Sequence, residues 1–356
     1  MQLYIAGGCG EHGRNCFYIQ GDTKNVMIDC GVIVEEGGNI GYPELSDEQI
    51  ENCELVLITH SHGDHVDALP WLFERGYKGD VVASKFTFEQ IPFDVNNAVN
   101  LEDICPDGKG EYKGIDITWG RSGHCVGGVW YKLEFDEKVM FFSGDYCFDT
   151  QVYACDEIIG KKADIAVIDC AYGKKKIDYQ ESCFNLIKRM RELFKKHKII
   201  FMPVPKHGRS IELMELVTKN GLTAYFYGDE HIMHEIESIK NYGAWLKFIP
   251  NTDKFLPHTN EGEQGIVFIS DSQLNKPMQQ AIAKDLIDKG AYGLMTGTVD
   301  KGSFSENLIN QGKMEYFCYP IHLSNIQYNS LKNKNVFACT VAYHTEDFKP
   351  PNTIKF

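Results

Sequence analysis

The sequence predicts an α/β protein with a β-rich first part and a strand–helix–strand second part. Three observations carry that prediction. Residues 1–170 are dominated by short runs rich in β-branched and aromatic residues, punctuated by Gly, Asp and Asn. From about residue 178, helix-period segments alternate with short apolar runs, the pattern of parallel α/β units. One apolar run, LVLIT, ends in Thr59-His60-Ser61-His62-Gly63-Asp64-His65. That density of imidazole and carboxylate suits a metal site better than a solvated loop.

In the first part, the expected strands are 3–6, 16–20, 26–30, 55–59, 116–119, 129–135, 139–143 and 164–170, with few helices and one beginning near Asp64. In the second part, helices are expected over 181–197, 211–219 and 278–289. Extended runs are expected over 198–204, 223–227, 265–270 and 292–298. Residues 251–265 are polar and read as loop, and pattern alone leaves the last 40 or so residues unassigned. A chain of 356 residues corresponds to about two domains at ~150 residues each.

Composition excludes several classes. Hydrophobic residues make up 43% and charged residues 24%, ordinary for a soluble globular chain and unlike a disordered or fibrous one. The longest apolar stretch is residues 199–205, far short of the ~18 residues of a membrane span. No basic start followed by a long apolar segment marks a secretory signal. The twelve cysteines are scattered and form no CxxC pair, so reduced thiols in a cytoplasmic protein are expected.

The net charge of −14 disfavours loose nucleic-acid binding. The distribution is uneven, however. Residues 174–198 hold nine Lys/Arg and three acids, a local +6 that leaves −20 for the rest. That segment is either a solvated helix face or a track for a phosphate backbone.

The chemistry begins with His60 and His62. In an extended loop, residues i and i+2 point the same way and can share one ion; after the turn, Asp64 and His65 can face a second. Two further ligands are expected: His124 in RSGHCVGG, before a strand, and Asp145 in MFFSGDY, at the end of one. An aspartate between two ions can bridge them. His231 and His234, at i and i+3, read as a surface helix. His207-Gly208-Arg209 opens a helix and offers either a phosphate contact or a simple cap. Gly7, Gly8 and Gly10 are not a nucleotide fingerprint, because no suitable helix follows. Tyr172 and Tyr146 are candidates for base stacking or for the core.

The order Asp29 (VMIDCG), His60-x-His62-x-Asp64-His65, His124, Asp145 resembles the metallo-β-lactamase fold hydrolases. Asp169 in VIDCAYG, His322 in YPIHLS and His344 in VAYHTE resemble the later motifs of the β-CASP nucleases. GGCGEHGRN, THSHGDH followed by ALPWL, GRS at 208–210 and the spacing His322-x-Ser324 resemble ribonuclease J without its C-terminal domain.

The resemblance implies a four-layer αββα sandwich over 1–177, a β-CASP-like α/β insert over 178–312, and a return to the sandwich over 313–356. His60, His62 and His124 would hold one ion and Asp64, His65 and His344 the other. Asp145 would bridge them, and Asp29 would fix a ligand histidine by hydrogen bonding. The expected cofactors are two divalent ions, zinc from the donor types with manganese as the alternative. Such a pair, ~3.5–4 Å apart, acidifies a water to hydroxide for attack on phosphorus. Asp64, Asp169 and His322 would be the catalytic residues. Lys174, Lys175, Lys176, Arg209 and Ser324 would be the substrate contacts.

The implied activity is a metal-dependent ribonuclease acting on single-stranded RNA, with DNA as a second substrate and no membrane partner. The alternative is a hydrolase of a small ester or phosphodiester. A non-catalytic scaffold is disfavoured because every ligand position holds a competent donor. Exo- or endonucleolytic action and oligomeric state are left open.

Overall fold

Hydrogen bonding and contacts in the computed structural model divide the chain into two units. The first comprises Met1–Phe148, Cys155–Ile177 and His322–Phe356; the second comprises Asp149–Ala154 and Asp178–Ile321. The structure describes all residues except 36–37, 227–229 and 259–262.

The first unit holds a seven-stranded and a six-stranded sheet. The seven-stranded sheet runs Thr353–Lys355, Gln2–Gly7, Cys16–Gln20, Asn25–Ile28, Leu55–Leu57, Asp80–Ala83 and Ala98–Asn100 in spatial order. Its first three pairings are antiparallel and the rest parallel. The six-stranded sheet runs Val336–Tyr343, Lys162–Asp169, Lys138–Phe142, Val129–Phe135, Ile115–Arg121 and Lys109–Tyr112.

The two sheets pack face to face. Phe17 of the first meets Phe142 and Tyr343 of the second, with ring centroids 6.2 and 5.3 Å apart. The Tyr131 hydroxyl donates across to the carbonyl of Ile58 at 2.9 Å. Helical side chains seal the outer faces. Ile50, Val66, Leu69 and Leu72 pack with Tyr18, Met27, Val56 and Val81 on one side. Tyr328 and Leu331 pack with Phe141, Ala166 and Ile168 on the other. The architecture is an αββα sandwich.

Residues 47–104 carry more helix than expected: Asp47–Glu51, Gly63–Val66, Leu69–Glu74, Lys85–Gln90 and Leu101–Ile104. Each has four to six residues, too few turns for a hydrophobic period to register. Caps define two of them: the Ser46 and Ser84 hydroxyls accept from the N–H groups of Gln49 and Thr87.

The tail left unassigned supplies the helix Asn325–Asn333 and the strand Val336–Tyr343. That strand joins Lys162–Asp169 in parallel, in register from Lys162↔Val336 to Asp169↔Tyr343. It carries His344 to the end of the sheet where Asp169 lies.

The second unit is built on a six-stranded, wholly parallel sheet. Its order is Phe255–Pro257, Ala224–Phe226, Gly265–Ser270, Ile199–Val204, Tyr292–Met295, Met314–Tyr316. The central strand Gly265–Ser270 is buried at every position, as a parallel strand covered on both faces must be. Residues 251–265, expected to be loop, include the edge strand Phe255–Pro257; with two of its three residues exposed, it has no alternation to betray it. Tyr227, in the expected run 223–227, lies outside the described residues.

Met314–Tyr316 pairs with Tyr292–Met295, which keeps the chain in this unit past residue 312. Residues 149–154 belong here too, because buried Glu212 accepts the backbone N–H groups of Gln151, Val152 and Tyr153 at 2.6, 2.7 and 3.0 Å. No helix among the described residues is long and apolar enough to cross a membrane. All twelve cysteines are unbridged.

Candidate metal centre

Every residue of this site belongs to the first unit. The parallel pairing of Asn25–Ile28 with Leu55–Leu57 sets Asp29 beside Thr59. Asp29 Oδ1 accepts the Thr59 N–H at 2.7 Å, and Oδ2 accepts both the Thr59 hydroxyl and His65 Nδ1 at 2.8 Å. One buried carboxylate thereby fixes the start of the histidine loop and the plane of its last imidazole. Beyond the loop, the short helix Gly63–Val66 turns Asp64 and His65 back toward the sheet. The turn is tight: a Cβ on Gly31 would lie 1.7 Å from the Asp64 carbonyl oxygen, so only glycine fits there.

Two donor clusters share one aspartate. In the first, His60 Nε2 and His124 Nε2 each lie 3.1 Å from His62 Nδ1, and 3.5 and 3.6 Å from Asp145 Oδ2. In the second, Asp64 Oδ2 lies 3.6 Å from His65 Nε2 and 3.3 Å from His344 Nε2. The other oxygen of Asp145 faces that second cluster, 3.3 Å from both His65 Nε2 and His344 Nδ1.

Four donors bound tetrahedrally at ~2.0–2.1 Å stand ~3.3–3.4 Å apart, so these separations fit a divalent ion in each cluster with Asp145 between them. His344 reaches its place with φ at +65°, a left-handed conformation held by its N–H donating to the Gly8 carbonyl at 2.6 Å.

The electrostatics match the donor set. Burial, reinforced by His65, pushes His60 well below the usual imidazole range, toward the neutral form a ligand needs. For His65, burial is outweighed by the carboxylates of Asp145, Asp29 and Asp64, which raise it. His344 is raised to about 10 against burial by Asp145 and Asp64. Asp145 is held well below the carboxylate range: burial would raise it, but His344, His65, His322 and His60 prevail. A site so rich in mutually dependent charge is one that cations would complete.

A third grouping adds chemistry beside these donors. His322 Nδ1 lies 3.0 Å from Asp169 Oδ2 and 3.8 Å from Asp145 Oδ2. Its ring stands 4.7 Å from that of His124, 5.1 Å from His344 and 5.8 Å, edge-on, from Tyr172. Asp169 is fully buried at the end of its strand, beside the strand that delivers His344.

Three contributors were not anticipated. Asn15 Nδ2 donates to Asp64 Oδ2 at 3.2 Å, the Tyr343 hydroxyl donates to Asp145 Oδ1 at 2.9 Å, and the His12 ring sits 5.6 Å from that of His344. His12 is pushed down to about 4 by desolvation and by its neighbours His344, His322 and Lys175.

Of the expected substrate contacts, Lys174, Lys175 and Lys176 are exposed. Ser324 is not available. It is buried and caps the helix Asn325–Asn333, closing a reciprocal box with Gln327. Arg209 lies in the second unit with its guanidinium against Gly297, where any Cβ would meet it. Tyr146 is a core residue, its hydroxyl donating to the Asp156 carbonyl, so it does not stack on bases. His231 and His234 are exposed on the helix Glu230–Ser238.

The Metallo-beta-lactamase superfamily matches residues 9–132. "Probable RNase MJ4" of Methanocaldococcus jannaschii is 25% identical over 288 residues, 72% of this chain and 65% of that protein. "Transcription termination factor FttA" of Methanothermobacter thermautotrophicus is 27% identical over 253 residues, 60% of this chain and 38% of the other. "Endoribonuclease ysh1" of Schizosaccharomyces pombe is 25% identical over 272 residues, 68% and 34%. The matches thus span less than two thirds of the first relative's length and little more than a third of the others'. Among solved structures, a protein of unknown function from Enterococcus faecalis shares the fold, with a TM-score of 0.63 at 11% identity over 99% of each chain.

Proposed function

We propose that this chain, which carries a metallo-β-lactamase domain and has β-CASP family nucleases for relatives, is a metal-dependent phosphodiester hydrolase that cleaves RNA. The observation that carries this reading is the His322–Asp169 pair at 3.0 Å, set beside Asp145, the aspartate common to both donor clusters, at 3.8 Å. It adds a proton-handling imidazole to a two-cluster donor set.

His60, His62 and His124 would hold one ion and Asp64, His65 and His344 the other, with Asp145 shared between the two clusters. Bound there, divalent ions would supply an acidified water and offset charge growing on the phosphoryl oxygens. Their identity follows the donors: zinc first, manganese as the alternative.

The remaining steps belong to the chain's own residues. With Nδ1 donating to Asp169, His322 has Nε2 left to protonate the leaving oxygen. Asp169 holds that ring in plane. Asp29 keeps His65 oriented, and Asn15 and Tyr343 keep the carboxylates of Asp64 and Asp145 aimed. Lys174, Lys175 and Lys176, exposed in the same unit, attract the phosphate backbone. The second unit corresponds to the β-CASP insert of the relatives. Single-stranded RNA is the substrate and DNA the weaker one, in a cytoplasmic setting that suits twelve unbridged thiols.

The test uses purified wild type and His322→Ala, each incubated with 5′-monophosphorylated single-stranded RNA, the matched DNA and a generic small phosphodiester, in Zn²⁺ or Mn²⁺, with bound metal measured in parallel. The reading expects RNA cleavage in the wild type only, with about two metals in both proteins. Undiminished RNA cleavage by His322→Ala would overturn the role of His322. Turnover of the small phosphodiester alone would overturn the ribonuclease reading.

A further inference from the structure

The second unit carries a groove that the metal centre does not use. The helix Tyr179–Leu193 and the turn after it present Phe184, Lys188, Arg191 and Lys195, spaced four, three and four residues apart and therefore on one face. Across from them lie Lys219 and Asn220, at the end of the helix Arg209–Lys219. Together they line a groove of about 610 Å³.

Ion pairing sorts the cations of this basic segment. Arg189 is occupied: its guanidinium reaches Glu315 at 2.6 and 2.9 Å and Glu192 at 3.1 Å. That contact also turns Glu192, an acid of the groove wall, toward Arg189. Lys188, Arg191, Lys195 and Lys219 are exposed and form no ion pair with any described residue. Arg191 spans the groove, donating to the Asn220 carbonyl at 3.0 Å.

Four uncompensated cations in one concavity repel one another, on a chain whose net charge is −14. An anionic occupant relieves that repulsion. Beside them, Phe184 is 69% exposed, a ring on open surface that a purely ionic ligand would not need. Cations along a groove with an aromatic platform are the means by which proteins hold a single strand, through phosphates and a stacked base. A duplex offers no free base face, and an acidic peptide would leave the ring idle.

We propose that this groove is a binding site for single-stranded RNA, separate from the metal centre, in which Lys188, Arg191, Lys195 and Lys219 hold the phosphate backbone and Phe184 stacks on a base. From Phe184 to Lys195 the stripe runs about 16 Å along the helix axis. The inference rests on the ribonuclease reading, since RNA is its ligand.

The experiment measures binding of a labelled, unstructured 20-nucleotide RNA to the full chain carrying His322→Ala, by fluorescence anisotropy across a salt series. The triple substitution Lys188→Glu, Arg191→Glu, Lys195→Glu should weaken binding at least tenfold, and its Gln counterpart should flatten the slope of log affinity against log salt by about 2, at ~0.7 per lost phosphate contact. Phe184→Ala should weaken binding about tenfold with the slope unchanged.

In the catalytically intact chain, the same substitutions should leave turnover of a small phosphodiester unchanged, which also shows that the fold survives. Unchanged RNA affinity and slope in every groove variant, with RNA still cut by the intact chain, overturns the groove and leaves the ribonuclease reading standing. An altered oligomeric state in the groove variants, with RNA affinity unchanged, makes the groove a protein contact and overturns the proposal. Failure of the wild type to bind or cut RNA while it hydrolyses the small phosphodiester overturns both.

Discussion

His322 Nδ1 lies 3.0 Å from Asp169 Oδ2, and that carboxylate is itself pinned by the N–H groups of Tyr146 at 3.1 Å and Ala171 at 3.0 Å. An acceptor held by two amides cannot swing, so it dictates the tautomer and plane of the imidazole. Asp169→Asn keeps the shape but loses that control. Cleavage should fall by about 10²–10⁴ with bound metal unchanged. Adding His322→Ala should cost nothing further, because the two act as a unit. Kinetics on the single and double variants, with metal analysis, decide this; loss of metal in Asp169→Asn would place Asp169 among the ligands.

Asp29 touches no candidate ion position, yet it orders one candidate ligand through His65 Nδ1 and the histidine loop through Thr59. Asp29→Ala should weaken metal binding about 10–100-fold. Competition against a chromophoric chelator measures it. Affinity equal to wild type would mean that the sheet pairing alone orients His65.

Metal binding should release protons. Without an ion His344 is raised to about 10, so at pH 7 it carries a proton that a bound cation must displace. Apparent affinity should therefore rise with pH across the neutral range, about tenfold per pH unit for each proton displaced. Titration calorimetry in two buffers of different ionisation enthalpy counts those protons, and a buffer-independent enthalpy would contradict the expectation.

Glu235 is buried in the second unit among the Ser210 hydroxyl, the Gly208 N–H and the Tyr153 hydroxyl, and burial raises it to about 7. A carboxyl raised in the folded state favours folding most below its unfolded value. That contribution, about 3 kcal/mol at most, is lost as pH rises from ~4.5 through 7. Glu235→Gln should melt higher than wild type at pH 8, with the difference vanishing toward pH 5. Parallel melting curves at both pH values would show that Glu235 does not titrate there.

Ser324→Ala should cost about 1 kcal/mol through the lost helix cap and leave RNA cleavage intact. A selective loss of cleavage, with the melting temperature unchanged, would return Ser324 to the substrate contacts.

The parts of the fold that were legible in the sequence are those with a long enough local pattern. The runs 16–20 and 129–135 coincide with the strands Cys16–Gln20 and Val129–Phe135 because their β-branched and aromatic residues form apolar runs closed off by polar and glycine residues. Helices of four to six residues offer no such pattern. The histidine loop was legible because its donors are neighbours in sequence. Asn15 and Tyr343 were not: each acts on an aspartate brought from far along the chain, Asp64 and Asp145, and each looks locally like a turn residue or a core aromatic. Ser324 did carry a signal, the Ser-x-x-Gln spacing of a capping box, which the neighbouring His322 overshadowed. The charge run 174–198 could not reveal that Arg189 is claimed by Glu315, 126 residues on.

The parallel union of Lys162–Asp169 with Val336–Tyr343 has a consequence for biosynthesis. Contacts so distant in sequence close late, after the whole intervening unit has left the ribosome. Until then the nascent chain can gather His60, His62, His124 and Asp145 but not His344. The strand Lys162–Asp169, largely apolar, meanwhile presents a bare edge to other chains. Assembly of the candidate metal centre is thus ordered by translation itself: the donor cluster of His60, His62, His124 and Asp145 can form early, and the cluster that needs His344 only at the end. A ribosome stalled before residue 336 would leave an intermediate without His344 and with an apolar strand edge bare, one for chaperones to shield.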